Sequence, residues 1–410
     1  MNSREIFTMA LNIGQPWYVR DIKMQRNDES HPGQIDIYID FTIGSKFKDS
    51  TGKECNIHDT VERTWQHLNF FEHTCFIHAR VPRIRTSEGK VERVNVPWSR
   101  PNSGFTLLYE AFAMLLIESE MPVSRAAEVL NIYDKRLWRV FNYWVAKAFL
   151  SDDQLGIVDI GIDETSTKKG HNYITIAVDM HTRRVIFARP GRDAGVLTEL
   201  KNHLESKGCK IEYIKNLCMD MSPAYISGAL TNFPEAHITF DKFHITKLLN
   251  EAMDTVRKYE RKEHAELKGY KYLFLRNSDK LTKDEMSVRT YFLNLYEDLG
   301  TAYRLKELFN DLWEFSTGDE AGGYLAYWCD LVEDSKIAPF MKVAQTIKAH
   351  WSGVVNFFKS KLNNGILEGI NSKIQLAKKR ARGYRNINNF INMIYFIAGK
   401  LKFDYPLYMT

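Results

Sequence analysis

Two acidic residues follow apolar, strand-like segments at positions typical of catalytic carboxylates. Asp163 and Glu164 form an acidic pair at the end of the segment VDIGIDE, and Asp220 ends the segment NLCMD just before MSPAY. If VDIGIDE is a strand, Asp159, Gly161 and Asp163 share one face, while the apolar residues between them pack on the other. If the two strands are neighbours in an α/β sheet, Asp163 and Asp220 meet at the strand ends, where such sheets place their sites. Two carboxylates suit Mg²⁺, which binds one or two of them together with waters and phosphate oxygens.

Phosphodiester chemistry with two metal ions needs a further acidic ligand, and Glu368 is the candidate. It lies in NNGILEGINSKIQLAKKRARGYRN, in the first turns of a predicted helix capped by Asn363 or Asn364. The residues that follow are strongly basic and could bind nucleic-acid phosphates: Lys373, Lys378, Lys379, Arg380, Arg382 and Arg385. Taken singly, each acidic residue is more simply explained as a solvated side chain, so spacing alone leaves the triad open.

The segment MPVSRAAEVLNIYDKRLWRVFNYWVAKAF has the pattern of a helix-turn-helix. Pro122 would begin the first helix, NIYD would form the turn, and the apolar residues would face inward. The residues left facing outward are of types that contact base edges or phosphates in a major groove: Lys135, Arg136, Arg139 and Asn142. The alternative is an ordinary helical hairpin with a solvated basic face.

Successive regions of the chain differ in pattern, which predicts a multidomain α+β protein. Residues 1–100 contain short strand-like runs broken by Gly, Pro and Ser, and predict a β-rich N-terminal domain. Residues 101–150 are helical and contain the helix-turn-helix. In 151–244, three strands with short turns precede alternating helix and strand, which is typical of a mixed sheet in an α/β domain. Residues 245–362 are almost purely helical, and 363–410 return to helix with the basic run.

The composition is that of a globular protein with a mild basic excess. At 410 residues the chain is long enough for two to four domains. The net charge of +5 permits a polyanionic partner without demonstrating one. Five scattered cysteines suit a reducing compartment better than a disulfide framework. No apolar segment is long enough to cross a bilayer and no cleavable signal opens the chain, so we expect a cytoplasmic protein without a membrane partner.

Four segments together resemble the ISL-three (ISL3) family of bacterial insertion-sequence transposases: IGIDETSTKKGHNYITIAVD, MDMSPAYISGA, DKFHITKLLNEAMDTVRKYE and NNGILEGINSKIQLAKKRARGYRNINNF. The upstream segment HDTVERTWQHLNFFEHTCFIHARVPRI is also similar, so the likeness runs nearly end to end in the family's order. The resemblance implies a DDE transposase with a ribonuclease-H-like α/β core that the all-α segment 245–362 interrupts.

The resemblance also implies roles for particular residues. Asp163, Asp220 and Glu368 match the family's acidic triad and would hold two Mg²⁺ or Mn²⁺ ions. Asp241 in FDKFH matches a family motif too, and is interpreted as a supporting or substrate contact. Weaker candidates for positioning phosphates are His171, His244 and Lys247.

Zinc is not expected, because the sequence departs from the family's pattern near the N-terminus. The family usually has two cysteine pairs there, whereas the corresponding positions hold Lys48, Thr51 and Thr86, with no cysteine near Gly89. Two CxxH pairs, Cys55/His58 and Cys75/His78, have zinc-like spacing. However, HTCFIHARV reads as a strand, on which residues three apart face opposite ways.

The expected activity is binding of the element's terminal inverted repeats by residues 1–150, followed by metal-dependent cleavage and strand transfer. The partners would be double-stranded element-end and target DNA, and paired ends imply a homodimer or a larger assembly, associated with the bacterial nucleoid. Two alternatives stay open: an inactive DNA-binding regulator derived from a transposase, and a nuclease of the same fold that cuts without joining.

Overall fold

The computed structural model describes residues 2–26, 33–49, 51–86, 88–168, 170, 172–362 and 365–405. They form two compact units. One comprises the described residues up to Trp144 together with those from Phe403 onward, and the other is Val145–Lys402.

The first unit contains a short helix, α1 (Ser3–Ala10), and a five-stranded sheet. The strands of the sheet are β1 (Trp17–Gln25), β2 (Gln34–Phe41), β5 (Ile57–Phe70), β6 (His73–Arg85) and β7 (Val91–Arg93). Two short strands, β3 (Phe47–Lys48) and β4 (Glu54–Cys55), form a separate two-stranded ribbon. The sheet order is β1-β2-β6-β5 with β7 on β6, and only the β2–β6 pair is parallel. Alternate residues of β2 (Ile35, Ile37 and Ile39) are buried in its core, so the predicted β-rich N-terminal region is confirmed.

Three helices follow in the region that was predicted to be helical: α2 (Leu107–Glu118), α3 (Val123–Val129) and α4 (Asp134–Ser151). Pro122 is the N-cap of α3, and Asn131 has a positive φ of 50° in the turn before α4. Ala126 of α3 and Leu137 and Phe141 of α4 are fully buried, as the helix-turn-helix pattern predicted. The helical region is divided at these points because a left-handed residue such as Asn131 and a proline such as Pro122 both interrupt regular helix.

The second unit is built on a five-stranded mixed sheet. Its strands are β8 (Asp159–Lys168), β9 (Asn172–Asp179), β10 (Arg184–Pro190), β11 (Asn216–Met219) and β12 (His237–Phe240). The order is β10-β9-β8-β11-β12; the first three strands are antiparallel, whereas β11 is parallel to both β8 and β12. The predicted mixed sheet is confirmed.

Two helices, α5 (Gly195–Ser206) and α6 (Pro223–Asn232), pack on one face of this sheet. Ile160 and Ile162 of β8 lie in the core that they form with these helices. The alternation predicted for VDIGIDE is therefore confirmed, and Gly161 and Asp163 lie on the other face.

A helical segment follows β12 and contains no strand among its described residues. Its helices are α7 (Lys242–Glu263), α8 (Lys271–Leu275), α9 (Lys283–Leu295), α10 (Glu297–Asp311), α11 (Gly318–Ser335), α12 (Ala338–Ala349) and α13 (Trp351–Ser360). They share a core around Phe309, Trp328 and Phe340. The last helix contacts β12, because Asn356 donates a hydrogen bond to the Ile238 carbonyl at 2.9 Å.

The chain then returns to the sheet with α14 (Gly365–Arg380) and α15 (Ile387–Ala398). α14 packs against β8 on the Gly161 face, and α15 reaches β10, where the Ala188 amide donates to the Tyr395 hydroxyl at 2.8 Å. Among the residues that the structure describes, no helix has the length and apolarity needed to cross a membrane.

Candidate active site

Three aspartates lie at the same level of three neighbouring strands. β11 pairs with β8 in the register Cys218–Gly161 and with β12 in the register Met219–Phe240. Continuing these registers places Asp220 level with Asp163 on one side and with Asp241 on the other. The sequence predicted that Asp163 ends its strand, but β8 continues to Lys168 because it stays paired with β9. Asp163 therefore lies in the middle of β8, beside the point where β11 ends.

The Asp163 carboxylate is half-buried and is held by two hydrogen bonds. Its Oδ1 accepts from the Glu164 amide at 2.7 Å, and its Oδ2 accepts from Asn371 Nδ2 of α14 at 2.6 Å. Burial raises the pKa of this carboxyl, the Asp241 carboxylate raises it further, and the Glu164 amide, His244 and Asn371 act against the rise. A carboxylate that is desolvated beside another acid gains from a nearby cation.

The charge of Asp220 acts on Glu164, the residue that follows Asp163 in the sequence. Its Oδ1 accepts from the Ser222 amide at 2.9 Å, which fixes the start of α6. Burial raises the pKa of Glu164, a hydrogen bond from Tyr225 lowers it, and Asp220 raises it again. The Tyr225 hydroxyl also bonds to Thr175 Oγ1 of β9 at 2.8 Å. Glu164 was not among the predicted site residues, although its position next to Asp163 was the available signal.

Asp241 is buried and begins α7. Its Oδ1 accepts from the Phe243 amide at 2.9 Å, and its Oδ2 lies 3.8 Å from His244 Nε2. The charges of Asp241 and His244 both act on Asp163, so these two residues lie at the acidic strand ends. Lys247, one turn farther along α7, is exposed on a groove that also contains Lys258. His171 and the predicted caps Asn363 and Asn364 lie outside the described residues.

Glu368 is exposed in the first turn of α14, one turn before Asn371 on the same side of the helix. Leu367 covers Gly161, where an added Cβ would lie 3.0 Å from both Leu367 δ carbons. Farther along α14, Gln375 donates to Thr165 Oγ1 at 2.7 Å. The helix is thus fixed along β8 by residues that repeat every three or four positions. Asn371 was missed by the sequence reasoning, because only packing against β8 reveals its partner.

The basic residues of α14 and the following turn differ in their burial and in their contacts. Lys378 is half-buried and donates to the Ser166 carbonyl at 2.7 Å, so it ties α14 to β8. Burial lowers the pKa of this amine. The other five are exposed: Lys373, Lys379, Arg380, Arg382 and Arg385. Lys373 lies about 200° around the helix from Asn371, on the side away from β8.

The outward residues of the helix-turn-helix also separate into two groups. Lys135 and Arg139 are exposed on α4. Arg136 is half-buried, with its guanidinium 4.3 Å from the centre of the Phe105 ring, and Asn142 is also half-buried. Lys135 and Arg139 are therefore the residues most available to a DNA groove.

The acidic side chains are suitable metal ligands by type but do not form a closed cluster. Carboxylate oxygens are the donors that Mg²⁺ takes in proteins. Within the described part of the chain, no three His, Cys, Asp or Glu side chains are grouped closely enough to hold a metal ion. Among the described residues, the buried Asn371 Oδ1 finds no hydrogen-bond partner, although its Nδ2 is bonded to Asp163. An orphaned oxygen beside repelling carboxylates fits a position where a cation or its water would be held.

Cys75 and His78 lie on opposite faces of β6, as the strand pattern predicted. Cys75 is buried in the core of the N-terminal sheet, whereas His78 on the other face bonds to Asp36 Oδ1 at 2.7 Å. Cys55 is buried on β4 with its Sγ 3.6 Å from Asp49 Oδ2, and His58 is exposed on β5. Cys75 and His78 therefore do not present two ligands to one point.

Family models match three parts of the chain. A model described as a transposase, of the ISL3 group, matches residues 160–394, more than half of the sequence. The helix-turn-helix domain of transposase family ISL3 matches 94–145. A zinc-finger of transposase IS204/IS1001/IS1096/IS1165 matches 52–88, which conflicts in part with the expectation that zinc is absent.

Curated relatives agree with these matches. The transposase for insertion sequence element IS1001 of Bordetella parapertussis is 28% identical over 380 residues, covering 88% of this chain and 90% of that protein. The transposase for IS1557 of Mycobacterium tuberculosis is 24% identical over 358 residues, covering 79% of each. Among solved structures, a chain of a simian T-cell lymphotropic virus intasome matches 44% of this chain and 68% of that one at 14% identity. The TM-score of this match is 0.18, which is too low to indicate a shared fold. The chain belongs to the ISL3 family of transposases.

Proposed function

We propose that this protein is a DDE transposase that binds the terminal inverted repeats of its insertion sequence and catalyses metal-dependent cleavage and strand transfer. The observation that carries the proposal is the common level of Asp163 and Asp220 on adjacent parallel strands, with α14 fixed over Asp163 by Asn371. α14 carries Glu368 one turn away on the same side. The three acids are 57 and 148 positions apart in sequence, but Asp163 and Asp220 belong to adjacent strands and Glu368 belongs to the helix that packs on the Gly161 face of β8.

The catalytic core is proposed to be ribonuclease-H-like. Three antiparallel strands followed by two parallel ones, with helices on both faces, support this. The helices between β12 and α14 would be an insertion, which gives the domain bounds 151–244, 245–362 and 363–410 for the core, insertion and core helices. Residues 1–100 and 101–150 would form the two DNA-binding domains.

The acidic triad would hold two Mg²⁺ or Mn²⁺ ions. When bound, the ions would activate the attacking oxygen and stabilise the leaving one. The chain's own residues prepare this place: Asn371 orients Asp163, and burial keeps it poorly hydrated. Exposed cations after Glu368 would hold the DNA backbone. Hydrolysis would free a 3′-hydroxyl, which would then attack target DNA without a covalent protein intermediate.

DNA recognition is assigned to the helix-turn-helix, with Lys135 and Arg139 as the main contacts. Arg136 stacks on Phe105 and is proposed to support the helix rather than to reach a base. Because two element ends are joined to one target, the active form is proposed to be a homodimer or larger.

The test is cleavage and joining of labelled element-end duplex with Mg²⁺ or Mn²⁺. Asp163→Ala, Asp220→Ala and Glu368→Gln are each expected to abolish both reactions and to leave DNA binding intact. Glu205→Gln, an exposed acid on α5, is the control and is expected to behave as wild type.

The other outcomes separate the alternatives. Wild type that binds but never cuts favours the regulator, and cutting without joining favours the nuclease. Comparison of Asp220→Asn with Asp241→Asn tests the choice of the second acid. If Asp241→Asn alone abolishes chemistry, the second ligand is Asp241.

A further inference from the structure

A pocket of about 630 Å³ lies on the side of α14 that faces away from Asn371. Its wall is formed by the β9–β10 turn, the end of α13, the first turns of α14 and the residues after α15. Four basic side chains from these separate elements line it: Arg183, Lys361, Lys373 and Lys400.

The described lining contains no acidic side chain and no aromatic one. Within the described part of the chain, none of the four cations has an acidic partner within 4.0 Å. Lys400 Nζ donates to the Thr182 carbonyl at 2.6 Å, and Lys361 Nζ to the Ser316 carbonyl at 3.1 Å. Four like charges around one pocket repel each other, and an anion bound between them would remove that repulsion.

Three of the four cations lie at turns of the backbone. Arg183, Lys361 and Lys400 have φ of 55°, 53° and 51°, in the left-handed region where glycine or asparagine costs least. Arg183 lies in the β9–β10 turn, where its amide donates to the Asp179 carbonyl, and the Lys361 amide closes the end of α13 by donating to the Phe357 carbonyl. These turns fix the backbone of three of the four cations at the pocket.

The pocket is suited to a phosphate backbone. Without an aromatic platform it cannot stack a base, and without an acid it does not select a ribose hydroxyl or a cation. α14 begins at Gly365 on the pocket wall, so the positive end of the helix dipole adds to the four charges. The pocket is separated from the acidic strand ends by the width of one helix, about 10 Å.

We propose that this pocket binds the phosphodiester backbone of DNA beside the strand that enters the acidic site. The proposal rests on the transposase function in assigning DNA as the anion. Lys373 then acts here, apart from the other basic residues of α14, and the remaining three cations are contacts that the basic run in the sequence does not contain. The DNA is either the element end beyond the cleavage point or the target duplex.

The test measures DNA binding by the full-length protein across a salt series. Arg183→Asn and Lys361→Asn remove one charge each and keep a residue that tolerates a positive φ. Each is expected to weaken binding of a labelled duplex about eightfold at 0.1 M salt and to lower the salt slope by about 0.9, because one phosphate contact is lost. The double variant is expected to weaken binding about sixtyfold. Neither variant is expected to lower the melting temperature.

Lys336→Asn is the matched control. Lys336 also ends a helix with a positive φ, 56°, and is exposed, but it lies outside the pocket. It is expected to bind DNA as wild type does. Lys361→Arg, which keeps the positive charge, is expected to bind DNA as wild type does too. If the double variant binds with wild-type affinity and slope, or if Lys336→Asn weakens binding equally, the pocket is not a DNA site.

The two sources of DNA are separated by activity. Loss of element-end binding and cleavage assigns the pocket to the element end, and loss confined to joining of pre-cleaved ends assigns it to the target. Failure of this site is distinct from failure of the proposed function. Wild type that cuts and joins while the double variant matches it refutes the pocket alone. Protein that never cuts, but whose pocket variants bind DNA more weakly, refutes the catalysis alone.

Discussion

The close contact between Gly161 and α14 predicts a large effect from one added methyl group. In Gly161→Ala, the new Cβ would lie 2.6 Å from Met180 Sδ and 3.0 Å from both δ carbons of Leu367. Ordinary carbon contacts are about 3.5–4.0 Å, so Leu367 must retreat by about 0.5–1 Å. Met180 is flexible and can move aside, whereas Leu367 is next to Glu368 in the first turn of α14.

The expected cost has two parts. Overpacking of this kind destabilises by about 1–3 kcal/mol, which lowers the melting temperature by about 2–4 °C per kcal/mol for a unit of this size. A misplacement near 1 Å costs about 100-fold in rate, so cleavage should fall about 10- to 100-fold. Thermal unfolding and single-turnover cleavage of element-end DNA measure the two quantities separately.

The control is Gly323→Ala in α11, where an added Cβ meets nothing within 4 Å. It is expected to stabilise the helix by about 0.5–1 kcal/mol and to leave cleavage unchanged. In the Gly161→Ala background, Leu367→Ala removes the colliding carbons and should restore activity more than stability. Wild-type melting and cleavage in Gly161→Ala would show that the position of Glu368 does not depend on this contact.

Three other perturbations have defined expectations. Burial lowers the pKa of His67 to about 4, so the unfolded chain binds its proton first and stability is lost as pH falls from about 6.5 to 4. The loss is on the order of 3 kcal/mol and should be absent in His67→Gln, as urea unfolding at several pH values would show. Asn371→Ala removes the 2.6 Å hydrogen bond to Asp163 and should lower cleavage about 10- to 100-fold, with a weaker apparent affinity for Mg²⁺ in a metal titration. Arg257→Met leaves the buried Asp254 without its two hydrogen bonds from that guanidinium, although Lys258 and Lys271 still contact it, and should cost about 1.5–3 kcal/mol of unfolding free energy in a denaturant titration.

The Arg257 and Asn371 variants each have a control on a residue of similar type. Lys258 is exposed and also contacts Asp254, so Lys258→Met should cost less than about 1 kcal/mol. Asn202→Ala on the exposed face of α5 should not change the Mg²⁺ dependence. An unchanged acid slope in His67→Gln, a wild-type metal titration in Asn371→Ala, or equal costs for Arg257 and Lys258 would contradict the respective argument.

The sequence by itself determined the local elements and the main acidic candidates. Alternation in VDIGIDE predicted which face of β8 carries Asp163, and the structure confirms this because strand period is a property of the backbone. The turn around Asn131 and the buried residues of α3 and α4 followed from the helical pattern in the same way. The family resemblance pointed to Asp163, Asp220 and Glu368, whose catalytic roles stay predictions.

Only the tertiary structure decided which side chains meet. Asn371 reaches Asp163, Lys378 reaches Ser166, and Asp220 acts on Glu164, because α14 and α6 pack across β8 from distant parts of the chain. The length of β8 was also misjudged, since pairing with β9 keeps its polar second half in the sheet. Local patterns carry periodicity and turns, whereas neighbours across a sheet depend on long-range packing. The four cations around α14 show this most clearly, because they come from segments up to 217 positions apart and no run of residues brings them together.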